Sequence, residues 1–191
     1  LGVLNVRESQ IGRMVDGFVD IHAGPEVGVA STKAYTGMLG ALLVLALRAA
    51  QARGRGADVW SEIRADVPRI PDLVRAVLSR PDPIREVTRE VHRAQDMLFL
   101  GRGPDAATAL EAALKMKEIS YIHAEADPAG EMKHGPIALV SWEMPTVAVA
   151  TPGPWRERML GNVREVRALD GLVILLAADD DAEAAQVAEE V

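Results

Sequence analysis

The sequence predicts an α/β protein whose parallel β-sheets are flanked by helices, and two observations support this. Short apolar runs typical of buried strands alternate with segments of helical length, as where "DMLFLGRG" leads into "PDAATALEAALKMKEIS". The chain is also 49% apolar but only 4% aromatic, so its core is expected to consist mainly of Ala, Val, Leu, Ile and Met. Strand–helix–strand units of this kind form parallel sheets with right-handed crossovers.

Composition divides the chain into three stretches. Residues 1–56 contain two strand patterns, 1–6 and 17–24, followed by a helix. Residues 57 to about 95 have mixed charge, apolar residues at helical spacing and several prolines, which predicts connecting helices between two units. A second α/β unit begins at 96–103. Neither end of the chain carries a start or stop signal, so we expect a part of a larger protein, with the second unit truncated at its C-terminus.

The helix that follows the second strand is the most apolar segment of the chain. We expect Ser31 or Thr32 to be its N-cap and Gly54 to be its C-terminal stop. Its middle is apolar on nearly every face, which predicts an interior position. Its longest apolar run is about half of the ~20 residues that cross a bilayer, so we expect no membrane association.

Within the second unit, strands are predicted at 96–103, 146–150 and 172–177, with helices between them. The stretch 123–136, "HAEADPAGEMKHGP", combines charged residues with glycine and proline and is interpreted as a polar loop. In parallel sheets, ligands bind at the carboxyl ends of the strands. The loop before Ser31 and the turn at 101–103 are therefore candidate ligand-binding sites.

Charge and cysteine content exclude several classes of function. The formal net charge is −7 and the basic residues are dispersed, so neither nucleic acid nor an anionic membrane is an expected partner. The absence of cysteine excludes disulfides, thiolate metal sites and Cys nucleophiles. It also fits a reducing compartment, so we expect a cytoplasmic protein.

The two glycine-containing loops differ in what they predict. Residues 24–36 place small residues and hydroxyls at a helix N-terminus, where free N–H groups favour an anion or a sugar hydroxyl. The alternative is that Ser31 and Thr32 only cap the helix. The G-x-G at 101–103 lacks both the dinucleotide fingerprint and the Walker pattern, so a tight turn is the better interpretation.

The sharper signal lies in "EAALKMKE", where Glu111, Lys115 and Glu118 are spaced four and three residues apart and share one helix face. A carboxylate held beside an ammonium at the edge of a buried helix could act as a base on a carbon acid. The alternative is a set of exposed salt-bridge partners.

His134 lies between Lys133 and a Gly-Pro pair, where it could shuttle a proton near neutral pH; the alternative is an ordinary surface histidine. We expect His22 and His123 to be structural, while His92 lies on a connecting helix. The spacing of the four histidines matches no metal-ligand pattern, so we expect no metal site.

Three motifs identify a family. The segments "IHAGPEVGVASTKAYT", "LFLGRGPDAATALEAALKMKEISYIHAEADPAGEMKHGPIALV" and "MPTVAVA" closely resemble the isomerase part of the glutamine–fructose-6-phosphate aminotransferases. The resemblance is weakest over the connecting helices. It implies two sugar isomerase (SIS) domains, each a three-layer fold. Residues 1–56 would then be the C-terminal part of the first domain and residues 92–191 most of the second.

The resemblance also implies roles for individual residues. In the family, ammonia from glutamine is transferred to fructose 6-phosphate, the imine is isomerised to glucosamine 6-phosphate, and no cofactor is needed. The carboxylate of the "KxKE" motif, here Glu118, moves the proton between C1 and C2, and Lys115 lies beside the sugar. The histidine of "KHGP", here His134, helps to open the ring and reaches in from the neighbouring subunit of a homodimer. Val29 and Ser31 would contact the sugar.

The chain departs from the family pattern at Arg7–Ser9, where "RES" replaces the usual "GSS". The loops that hold the phosphate and the tail lysine that binds the open-chain sugar lie outside the sequence, so we expect the chain alone to be inactive. Two other functions stay open. One is a stand-alone double-SIS sugar-phosphate deaminase or deglycase, and the other is a sensor that binds sugar phosphate without catalysis.

Overall fold

The computed structural model describes residues 1–189, and these form two compact units that divide after Pro81. The last two residues of the predicted second domain, 92–191, lie outside the described residues. The first unit runs from Leu1 to Pro81. Its elements are β1 (Gly2–Leu4), α1 (Gln10–Met14), β2 (Phe18–Asp20), α2 (Thr32–Ala52), α3 (Ala57–Asp66) and α4 (Ile70–Leu78).

Both strands predicted in the first unit are present, and they pair in parallel with Val3 opposite Val19. Two residues of the unusual "RES" segment make contacts that stabilise the first unit. The Ser9 hydroxyl accepts a hydrogen bond from the Gly12 N–H and so caps α1. Arg7 pairs with Asp20 at 3.1 Å and lies over the Phe18 ring at 5.2 Å, which ties the loop after β1 to β2.

The predicted interior position of α2 is wrong for the chain as it stands. Ala34 is its only buried residue, and apolar side chains such as Leu39 and Leu42 are about half exposed. The reason is geometric, because a helix of 21 residues is about 31 Å long whereas strands of three residues span only about 10 Å. Two such strands cannot cover the helix.

The length estimate for α2 also needs correction. The helix Thr32–Ala52 as a whole is long and apolar enough to cross a bilayer, with a mean hydropathy of 1.3. Length and composition alone are weak evidence of a membrane span, since the core helices of soluble proteins share both properties.

The second unit contains a four-stranded parallel sheet in the order β4-β3-β5-β6. All three strands predicted there are confirmed. In chain order, an α-helix connects the first strand to the second and the third to the fourth, whereas the second and third are joined by a loop with two short 3-10 helices, Met132–His134 and Pro136–Leu139. The elements are α5 (Pro81–Val91), β3 (Asp96–Gly101), α6 (Pro104–Ser120), β4 (His123–Pro128), β5 (Thr146–Val149), α7 (Arg156–Arg167), β6 (Val173–Leu176) and α8 (Ala182–Glu189).

Two apolar clusters, one on each face of this sheet, make the unit three-layered as predicted. Alternate residues of β3 point to opposite faces, as the pleat requires. Leu98 and Leu100 belong to the cluster that includes residues of α7 and α8. Met97 and Phe99 belong to the cluster that includes Ala109 and Ala113 of α6. The small alanines let α6 lie close to the sheet.

The interpretation of 123–136 as one polar loop is wrong for its first half. Residues His123–Pro128 form β4, which pairs with β3 in the register Met97 opposite Ala124. Ala124 is fully buried, whereas His123 and Glu125 are exposed. Alanines and charged residues alternate in this segment with a period of two, which is a strand pattern. The charged residues led to its interpretation as a loop.

An ion-pair network joins α7 to the start of α8. Arg156 pairs with Asp181, whose side chain is 8% exposed, and also with Glu183 at 3.0 Å. Asp181 also accepts a hydrogen bond from the Ala184 N–H, which caps α8. The Arg156 guanidinium and this backbone N–H lower the pKa of Asp181 to about 2.

We expect this network to stabilise the fold in a pH-dependent way. Because the pKa of Asp181 is lower in the folded than in the unfolded state, the stabilisation is present above pH ~4 and is lost as the pH falls through about 2. Asp181→Asn should therefore lower the Tm by several degrees at neutral pH, with a difference that narrows on acidification. Thermal unfolding followed by circular dichroism measures this. Asp180→Asn is the matched control, and equal effects of the two substitutions would contradict the assignment.

Candidate functional site

The turn between β3 and α6 is tight, as expected for this G-x-G. A side chain at Gly101 would collide with the Asp105 carbonyl oxygen, and Gly103 has a φ of 57° with the Trp155 indole against it. Asp105 accepts hydrogen bonds from the Thr151 N–H and hydroxyl at 3.1 and 2.8 Å. A carboxylate thus lies where a phosphate loop would hold an anion. Both glycines are explained by packing.

On α6 the predicted cluster is assembled. The Lys115 Nζ lies 2.6 Å from the Glu118 Oε2 and 3.4 Å from the Glu111 Oε1. The three side chains are only 19–26% exposed, so they are not the exposed salt-bridge partners of the alternative interpretation. The hydrogen bond with Glu118 raises the pKa of Lys115, which therefore carries a charge at neutral pH.

This arrangement suits proton transfer at carbon. The Lys115 ammonium holds the Glu118 carboxylate in a fixed orientation on a rigid helix. Lys115 supplies a hydrogen-bond donor and a positive charge beside the base, where a substrate oxygen that gains negative charge can be stabilised. Partial burial shields both groups from water and strengthens these interactions.

The loop that follows β4 presents His134 to solvent. The Ala129 N–H donates to the Gly101 carbonyl oxygen at 2.8 Å, and Met132 is fully buried. His134 closes a 3-10 turn, Met132–His134, through its N–H to the Glu131 carbonyl oxygen. Among residues 1–189 the His134 imidazole has no hydrogen-bond or ion-pair partner, and its side chain is free to serve another molecule.

Glu118 and His134 lie at opposite ends of the sheet. Helix α6 starts where β3 ends and runs back, so that Glu118, on its last turn, lies near the amino end of β4. His134 follows the carboxyl end of that strand. The six residues of β4 span roughly 17–20 Å, so one subunit does not bring these two side chains together.

In the first unit, Val29 and Ser31 lie on the loop between β2 and α2. Val29 is 82% exposed. Asn5 fixes the start of the loop, because its side chain donates to the Gly24 carbonyl oxygen and accepts from the Ala23 N–H. Lys33 reaches back from α2 to the Pro25 carbonyl oxygen.

The predicted N-cap position of Ser31 is confirmed, but its hydroxyl does not cap the helix. Ser31 occupies the N-cap position of α2, but in a left-handed conformation with a φ of 49° and a ψ of 51°, and its side chain makes no capping hydrogen bond. Non-glycine residues adopt this conformation at a cost of about 1–2 kcal/mol.

A network of polar contacts beside His134 was not predicted from the sequence. Lys133 forms an ion pair with Glu165 of α7. Glu165 accepts a hydrogen bond from Asn162, and Asn162 accepts one from Arg102. The spacing of Asn162 and Glu165, three residues apart on a helix, placed them on one face. Nothing in the sequence indicated that this face meets the loop with His134, because that contact is long-range.

The fold and these residues define a class of protein. The model of the SIS domain family matches residues 90–191, which are more than half of the chain, and the chain belongs to this family.

The similarity to particular proteins extends over the whole chain. It is 50% identical to a glutamine–fructose-6-phosphate aminotransferase [isomerizing] of Thermus thermophilus over 194 aligned residues, which cover 100% of the chain and 32% of that protein. The corresponding protein of Pyrococcus horikoshii is 44% identical over 179 residues, covering 94% of the chain and 29% of that protein. The chain thus spans about a third of the length of these curated relatives.

Solved structures show the same fold. The C-terminal domain of glucosamine-fructose-6-phosphate aminotransferase from Francisella tularensis superposes with a TM-score of 0.86 at 36% identity, covering 96% of the chain and 57% of that structure. A glucosamine-6-phosphate deaminase from Thermotoga maritima shares the fold at a TM-score of 0.66 and 22% identity, covering 98% of the chain and 59% of that structure.

Proposed function

We propose that the chain is the isomerase region of an enzyme that converts fructose 6-phosphate and glutamine-derived ammonia to glucosamine 6-phosphate. The observation that carries the proposal is the partly buried Lys115–Glu118 pair, in a chain 50% identical to an aminotransferase of this name. A sensor that only binds sugar phosphate needs no such base. The product would serve amino sugar biosynthesis in the cytoplasm.

Glu118 is the base of the proposed isomerisation. Its carboxylate removes a proton from C1 of the imine formed between ammonia and the sugar, and a proton is then returned to C2. One base must reach two adjacent carbons, and a carboxylate on a rigid helix suits this. Lys115 lies beside the sugar, where its ammonium stabilises the charge that develops on the substrate. No cofactor or metal takes part in the proposed reaction.

His134 is the proton donor for ring opening, and it acts in the site of the neighbouring subunit of a homodimer. The separation of roughly 17–20 Å between the two ends of the sheet supports this, because His134 cannot serve the Glu118 of its own chain. Its exposed, unpartnered imidazole is available to a second subunit.

Val29 and Ser31 contact the sugar in this proposal, Val29 through its backbone and Ser31 through its hydroxyl as well. The Ser31 hydroxyl makes no capping hydrogen bond to α2, and this supports a role in binding. Residues 1–56 are then the C-terminal part of a first SIS domain, 57–91 a helical connector and 92–191 a second SIS domain. The exposed apolar side chains of α2 fit a first domain with more elements than 1–56 supply.

The alternative enzyme is a stand-alone deaminase or deglycase, but the deaminase structure compared above is only 22% identical. The test uses the intact protein that carries this chain, incubated with fructose 6-phosphate and either glutamine or ammonium. We expect glutamine to support glucosamine 6-phosphate formation, with stoichiometric release of glutamate. Release of ammonia from glucosamine 6-phosphate, with no use of glutamine, would instead establish the deaminase.

A further inference from the structure

The loop that carries His134 is fastened to α7 by a chain of polar contacts. The Lys133 Nζ lies 2.8 Å from the Glu165 Oε1, and the Glu165 Oε2 accepts a hydrogen bond from the Asn162 Nδ2 at 3.2 Å. The Asn162 Oδ1 in turn accepts from the Arg102 Nη1 at 2.8 Å. The chain therefore runs from the residue next to His134, through α7, to the turn after β3.

Asn162 connects the two charged ends of this chain from a buried position. It is 7% exposed, and both its amide oxygen and its amide nitrogen are hydrogen-bonded, as burial requires. Glu165 is 36% exposed, and its hydrogen bond with Lys133 lowers its pKa, so it is ionised at neutral pH. The arrangement is a satisfied network and not an isolated surface pair.

The same network holds the loop at two points. Besides Lys133 at one end, the Arg102 guanidinium packs under Gly130, where an added Cβ would lie 2.8 Å from the Arg102 Nη2. Between these points Met132 is buried in the apolar cluster that includes Met159 and Val163 of α7. The backbone leading to His134 is thus fixed on both its polar and its apolar side.

The side chain of His134, unlike the backbone of this segment, is not held in place. His134 follows Lys133 directly and is exposed, and within the described residues 1–189 its imidazole contacts no hydrogen-bonding partner. An exposed salt bridge contributes little to stability, and Met132 already anchors the loop. The contribution of the Lys133–Glu165 pair is instead to orient the 3-10 turn that ends at His134.

We infer that Glu165, supported by Asn162 and Arg102, is a positioning residue that aims His134 into the neighbouring active site by holding Lys133. The inference rests on the proposed function, since it gives His134 a catalytic target. Glu165 itself touches no substrate. Misplacement of a catalytic group by about 1 Å costs roughly 100-fold in rate, so a looser loop has a measurable effect on turnover.

The test is a double-mutant cycle in the intact protein, with Glu165→Gln and His134→Ala alone and combined. Glu165→Gln keeps the shape of the side chain and removes the charge that holds Lys133. We expect kcat to fall about 10-fold with KM changed less than about twofold. In the His134→Ala background, Glu165→Gln should change kcat by less than about twofold, because nothing is left to position.

Glu157→Gln is the matched control, as Glu157 is an exposed residue in the first turn of the same helix. It should leave kcat unchanged in both backgrounds. Lys133→Met breaks the same contact from the exposed side, and it replaces Glu165→Gln if that variant fails to fold. We expect it to show the same dependence on His134.

The outcomes separate this inference from the proposed function. If Glu165→Gln and Lys133→Met lower kcat equally with and without His134, or do not lower it at all, the positioning role is wrong while the enzyme assignment stands. If the wild-type protein forms no glucosamine 6-phosphate, the proposed function itself fails.

Discussion

Glu118→Gln is expected to lower kcat for glucosamine 6-phosphate formation by about 1,000-fold, within the range of about 100- to 10,000-fold typical of a general base. The amide keeps the size of the carboxylate and still accepts a hydrogen bond from Lys115, but it cannot take a proton from carbon. KM should change by less than about threefold, because the geometry of the site is retained. Steady-state assays of the intact enzyme, together with incorporation of solvent deuterium into the sugar, measure the effect.

Glu111→Gln is the control for this substitution. Glu111 contacts the same ammonium, at 3.4 Å, but lies about two helical turns before Glu118. It should cost less than about 10-fold in kcat if its only role is to orient Lys115. A Glu118→Gln enzyme that retained near-wild-type turnover would show that the base is another residue.

His134→Ala is expected to have the second largest effect, a fall in kcat of about 100-fold. The imidazole is the only proposed donor to the ring oxygen, and alanine leaves the loop backbone intact because Met132 still anchors it. His123→Ala is the matched control, since His123 is paired with Asp96 at 2.8 Å and has no part in the proposed reaction. Equal losses from the two substitutions would argue against a specific role for His134.

Local signals in the sequence predicted most of the second unit. Its apolar strands and the helix with "KMKE" follow from periodicities of two and 3.6 residues, and the same spacing brings Lys115 to Glu118. β4 was missed because charged residues alternate with alanines, which are small enough to pack under α6 but contribute little hydrophobic signal. The hydrophobic pattern therefore fails where a buried position is filled by a small residue.

Long-range contacts account for the rest. The exposure of α2 depends on how much sheet is present to cover it, and a helical pattern carries no such information. The left-handed Ser31 departs from the capping rule, under which an N-cap residue has extended backbone angles. The network that ends at Lys133 could not be predicted either, since Arg102 and Asn162 are brought to the same place only by the order of strands in the sheet.

The central claim is that the active site needs Glu118 of one chain and His134 of another. It is tested by co-expressing Glu118→Gln and His134→Ala subunits with different affinity tags and assaying the mixed oligomers. In a symmetric dimer, each mixed dimer has one site with both groups intact, so purified mixed dimers should recover about half of the wild-type activity while each parent variant stays nearly inactive. Mixed dimers no more active than their parents would contradict the claim, because they would place both residues in the site of one chain.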